Sequence, residues 1–81
     1  MTIAGTISVV RPLKAFEARA WRIDYRTSEG VRSVDIMTYD DDTKPPLENE
    51  TIQILPRGTR FFEILVSGRR FERYRSPFVM G

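Results

Sequence analysis

Residues 20–37, AWRIDYRTSEGVRSVDIM, decide how the chain is read. Taking Thr27, Ser28, Glu29 and Gly30 as a hairpin loop sets Tyr25 opposite Arg32, Ile23 opposite Val34, Arg22 opposite Asp35, Trp21 opposite Ile36 and Ala20 opposite Met37. One face of that ribbon carries Trp21, Ile23, Val34 and Ile36, which suits a core. The other face brings Arg22 and Asp35 together as an opposite-charge pair. Local propensity, turn chemistry and side-chain pairing agree over this stretch, which is the mark of a segment that specifies its own structure. Trp21 and Tyr25 are therefore expected in the core.

Strand signals continue on both sides. Upstream, Ile3, Gly5, Ile7 and Val9 recur at period two, as in a half-buried strand, and Pro12 is expected to end it. Residues 12–20, PLKAFEARA, carry two readings. Pro12 at a first helical position, the alanines, and Leu13, Phe16 and Ala20 at helical spacing suit one short helix. As a strand, the apolar set would change phase from Phe16, Ala18 and Ala20 to Trp21, Ile23 and Tyr25, which requires a β-bulge.

Downstream, residues 40–50, DDDTKPPLENE, form a polar loop stiffened by Pro45 and Pro46. The aspartates lack the glycine and alternating oxygen ligands of a calcium-binding loop, so a solvated loop is expected and no metal. TIQIL resumes strand character, and PRGT is read as a turn.

The last hairpin admits two registers. A loop of Ser67 and Gly68 alone would oppose Glu63 and Glu72, a like-charge pair. A loop of Ser67, Gly68 and Arg69 instead pairs Leu65 with Phe71, Glu63 with Arg73, Phe62 with Tyr74 and Phe61 with Arg75, and side-chain chemistry favours it. In that register Phe61, Leu65 and Phe71 share an outer apolar face. That face is open to a homodimer contact, a partner, nucleobases, or the terminal SPFVMG folded back over it.

Composition bounds the function. The chain has 81 residues, enough for one domain spanning residues 1–81. It has no cysteine and no histidine, so thiolate metal sites, disulfides and the usual neutral-pH general base are all missing. An enzyme is not expected. Chemistry would fall to Asp40, Asp41, Asp42 or Glu63, none placed by a motif, and no cofactor is implied. Apolar runs are too short to span a bilayer, and the N-terminus lacks the basic segment of a signal peptide, which suits a cytoplasmic protein without membrane association.

The net charge of +2 conceals a division. Residues 38–50 hold Asp40, Asp41, Asp42, Glu48 and Glu50 against Lys44, a net −4, whereas residues 51–81 hold six arginines against Glu63 and Glu72, a net +4. Such a split gives a dipolar surface able to steer a charged partner.

The expected fold is therefore all-β, a small antiparallel barrel of five or six strands, OB-like or SH3-like. In length, strand count and the interleaving of arginine with aromatic residues, the chain resembles the small single-stranded DNA-binding barrels of filamentous phages. No shared motif carries a residue across. Single-stranded nucleic acid is the first candidate partner, with Arg22, Arg26, Arg32, Phe61, Arg70, Arg73, Tyr74 and Arg75 as the candidate contacts. A protein partner or a homodimer through Phe61, Leu65 and Phe71 is the alternative.

Overall fold

The computed structural model describes residues 2–58 and 61–75. Six antiparallel strands, β1 (Ile3–Leu13), β2 (Arg19–Thr27), β3 (Gly30–Thr38), β4 (Thr51–Arg57), β5 (Phe61–Val66) and β6 (Arg69–Arg73), close into one barrel in the order β1-β2-β3-β6-β5-β4. Two three-stranded meanders are thus joined by a crossover at residues 39–50. This connectivity differs from the five-stranded Greek key of an OB fold. The terminal SPFVMG lies outside the described residues.

The first hairpin has the register its sequence dictates, from Ala20↔Met37 through Arg22↔Asp35 to Tyr25↔Arg32. Its turn is fixed chemically. The Thr27 hydroxyl accepts the Glu29 amide at 3.1 Å and donates to the Gly30 carbonyl at 3.1 Å, while Gly30 takes a φ of 124° that side chains with a Cβ rarely adopt.

Residues 12–20 contain no helix. Pro12 pairs with Trp21 and Leu13 with Ala20, so the sheet claims both ends of the segment and leaves only residues 14–18 to turn, with Glu17 at a φ of 55°. Pro12 continues β1 rather than ending it. Beyond Thr6 that strand pairs only with β2, so the missing N–H faces an unpaired flank. Pro56 is accommodated in the same way within β4, past the last β1 pair, so PRGT begins as strand and not as a turn.

The bulge lies in β1, not in residues 16–25. Ser8 is the extra residue between the Ile7↔Tyr25 and Val9↔Asp24 pairs, and its hydroxyl donates to the Asp24 carbonyl at 3.1 Å. Inward positions therefore pass from Ile3 and Ile7 to Val10, and Val9 falls out of the apolar set.

The last hairpin adopts the other register. Val66↔Arg69, Leu65↔Arg70 and Ile64↔Phe71 pair around Ser67 and Gly68, which lie at φ 47° and 82°, the positive values a type I′ turn needs at both central positions. The like-charge clash does not arise because the strands part after Ile64↔Phe71. Glu72 pairs with Met37 of β3, and Glu63 is held by Arg57 at 3.0 Å and Arg70 at 3.7 Å. Phe71 consequently faces inward at 2% exposure and meets Trp21 edge-to-face at 5.8 Å. The expected outer face of Phe61, Leu65 and Phe71 does not exist.

The core is a continuous cluster of Ile7, Trp21, Ile23, Tyr25, Ile36, Ile52, Ile54, Ile64, Val66 and Phe71, with Ile3, Val10 and Val34 at its margin. Two arginines clamp the crossover over one end of this core. Arg19 donates from one nitrogen to the carbonyls of Asp40, Asp41 and Thr43, the shortest at 2.7 Å. Arg69 grips both carboxylate oxygens of Glu50 at 2.8 Å and the carbonyls of Lys44 and Pro45 at 3.2 and 3.0 Å. Pro46 is fully buried beneath.

Candidate nucleic-acid interface

The eight candidate contacts divide between two regions. On β2 and β3, outward side chains form a lattice of paired charge. Arg22 makes a bidentate bond to Asp35 at 2.9 and 3.1 Å, and this bond raises the already high pKa of the guanidinium. Arg11, opposite Arg22 in the register, turns to Asp24 at 3.9 Å, and Asp24 also accepts the Ser33 hydroxyl at 2.6 Å. Arg32 pairs with Glu29 at 3.0 Å. Arg22 and Arg32 are therefore largely neutralised as phosphate ligands. Arg26 is exposed and makes no ion pair with a described residue.

On β5 and β6 the balance is different. Phe61 is 74% exposed and Phe62 43%, two neighbouring rings at the start of β5, where pairing to β4 continues but pairing to β6 has ceased. Around them stand Arg57, Arg70 and Arg73. Arg57 and Arg70 share a single carboxylate, that of Glu63. The Arg73 guanidinium lies over the Phe62 ring at 5.9 Å, and neither Arg73 nor Arg75 forms an ion pair with a described residue. These cations meet less counter-charge than those of β2 and β3.

Tyr74 does not belong to the surface. It is 8% exposed, its phenol donates to the Lys14 carbonyl at 2.9 Å, and its amide donates to the Asp35 carbonyl at 2.9 Å. The ring ties the chain beyond β6 to the turn between β1 and β2, so a stacking role is corrected to a structural one. Phe62 and Arg57, absent from the sequence-based set, take its place. The hairpin register is a signal only for Phe71, which a two-residue turn sends inward; the parting of β5 and β6 that leaves Phe62 exposed comes from closure onto β3.

That parting shapes the surface. β6 leaves β5 for β3, pairing Met37 with Glu72 and Ile36 with Arg73. The wall consequently splits, and Phe62 stands between two hollows. One, of about 440 Å³, descends between β3 and β5 to Tyr25, Val34, Ile54 and Ile64. The other lies outward, among Arg57, Phe61, Glu63, Arg70 and Glu72.

The acidic crossover lies at the opposite end of the barrel. Strand alternation places the starts of β5 and β1 and the end of β6 together, and the Ser67–Gly68 turn with residues 39–50 at the other end. Asp40, Asp42 and Lys44 share a hollow with Arg69 and Arg70, so Arg70 borders the acidic loop while Arg73 and Arg75 do not. No protein-family model matches the chain, and no match was found among curated proteins or among solved structures. Among the described residues, no helix is long and apolar enough to cross a membrane.

Proposed function

We propose that this barrel binds single-stranded nucleic acid across the start of β5 and the end of β6. The observation carrying this reading is the pair of exposed rings, Phe61 and Phe62, with the Arg73 guanidinium over the second and no carboxylate partner for that guanidinium among the described residues. Exposed aromatic rings offer stacking platforms to bases of any identity, and unpaired guanidinium groups neutralise phosphates. Separation from the acidic crossover supports the same reading, since residues 40–50 would repel phosphate if they lay alongside.

Titration of a fluorescent single-stranded oligonucleotide at several salt concentrations tests it. Affinity falls with salt with a slope of about −0.7 per phosphate neutralised, and Arg73→Ala lowers the slope by about that amount. Phe61→Ala costs about 1–3 kcal/mol of binding and leaves the slope intact. Absence of binding to single-stranded or duplex oligonucleotides at low salt would overturn the reading.

A protein partner, a second copy of this chain included, is the other reading. The mixed charge of the hollow shared by Asp40, Asp42, Lys44, Arg69 and Arg70 favours it, because such a surface suits a partner of mixed charge better than a polyanion. The two readings predict opposite outcomes in the titration.

A further inference from the structure

The hollow between β3 and β5 is the least explained feature of the interface. It holds about 440 Å³, inside the roughly 300–1,000 Å³ range of small-molecule sites. Its lining includes Tyr25, Ile54 and Ile64, all nearly inaccessible, and half-buried Val34, while its rim carries Phe62 and Arg73. A barrel core normally closes over such residues. Among the described residues it remains open because β6 crosses to β3 and leaves residues 61–63 of β5 without a strand neighbour on that side.

We infer that this hollow takes one unstacked base of a bound strand, with Phe62 as the stacking ring and Arg73 on the adjacent phosphate. The inference rests on the nucleic-acid reading and deepens it. Three properties select a nucleotide of a strand as occupant. The floor, at Val34, Ile54 and Ile64, is apolar and accepts the face of a planar ring. The rim supplies polar groups, Ser33 and the Arg22–Asp35 pair, suited to a base edge. The mouth carries a cation with no carboxylate partner among the described residues, complementary to a phosphate that stays outside. Arg73 already covers the Phe62 ring as a planar cation. A base replaces it on the ring, and the guanidinium turns to the phosphate. Splayed bases that stack on aromatic side chains and hydrogen-bond along their edges are the usual mode of single-strand recognition.

The test uses oligonucleotides carrying 2-aminopurine at successive positions, whose fluorescence is quenched when the base stacks. With wild-type protein one position in the bound register is quenched much more strongly than the rest. Phe62→Ala, at a half-exposed rim where the fold is not at risk, abolishes that quenching and weakens binding about tenfold, with an unchanged salt slope. Arg73→Ala keeps the quenching and lowers the slope. Binding with no preferentially quenched position, or quenching that survives Phe62→Ala, overturns the buried base and leaves the interface standing. Quenching competed away equally well by a free mononucleotide overturns the commitment to a strand. No binding by any oligonucleotide overturns both.

Discussion

Gly5 shows how a single residue can be read correctly for position and incompletely for cause. Period two placed it among the inward residues of β1, where any small residue would have satisfied the pattern. In the barrel a Cβ there would lie 2.6 Å from the Arg26 carbonyl oxygen and 2.9 Å from the Tyr25 ring. The backbones of β1 and β2 approach too closely for a side chain. Gly5→Ala is expected to destabilise the protein by about 1–3 kcal/mol, measured as a lower urea midpoint at constant m-value. An unchanged midpoint would mean that the strands can move apart freely. Tyr74 makes the complementary point: an aromatic residue within ERYR looks like a stacking ring, yet its partner, the Lys14 carbonyl, is 60 positions away in sequence.

At the scale of elements, the crossover at residues 39–50 contains one ion pair whose contribution depends on pH, Arg69 with Glu50. Arg69 donates to both oxygens of Glu50 and holds the carboxyl down to about 2; burial opposes this, and the Ser67 hydroxyl and the Leu47 amide, at 2.7 Å, add to it. The folded pKa lies below the unfolded value of about 4.3, so the pair's contribution is fully present above that value. It is lost as pH falls toward about 2. Glu50→Gln is therefore expected to cost about 2 kcal/mol at pH 6, a difference from wild type that shrinks toward zero near pH 2, followed by chemical denaturation. A constant difference across that range would assign the effect to packing. The sequence showed only an acidic loop and a basic strand. That Arg69 belongs to the loop was invisible, because Lys44 and Arg69 lie 25 positions apart in sequence.

The whole molecule has one weak seam. β2 and β3 share nine residue pairs, from Arg19↔Thr38 to Thr27↔Gly30, whereas β3 and β6 share two, extended by the bond from the Tyr74 amide to Asp35. Sub-global opening should begin there, since the fewest backbone bonds must break. Hydrogen exchange is expected to be slowest in β2 and faster at the pairing amides of β6, and Tyr74→Phe is expected to accelerate exchange in β6 selectively. Uniform protection across the sheet would show that the barrel opens only as a unit. The parting of β6 from β5 on its way to that seam exposes Phe62 and the hollow below it, so the candidate site follows from how the barrel closes.

What the residues determined alone was an all-β chain, the register of the hairpin read with a Thr27–Gly30 loop, including its Arg22–Asp35 pair, and Trp21, Ile23 and Tyr25 in the core; the sheet extends that ladder to Thr27↔Gly30. Side-chain alternation and turn chemistry act over a few residues, and both are written in the sequence. For the last hairpin, side-chain pairing points to the wrong register, because the like-charge penalty between Glu63 and Glu72 holds only where β6 has β5 alone to pair with. Closure onto β3 removed that penalty, let the Ser67–Gly68 turn choose the register, and thereby sent Phe71 inward and left Phe62 at the split. Which strand accepts the free edge of another is a long-range decision, made by the total burial of the closed barrel and by no local pair, and only the tertiary structure records it.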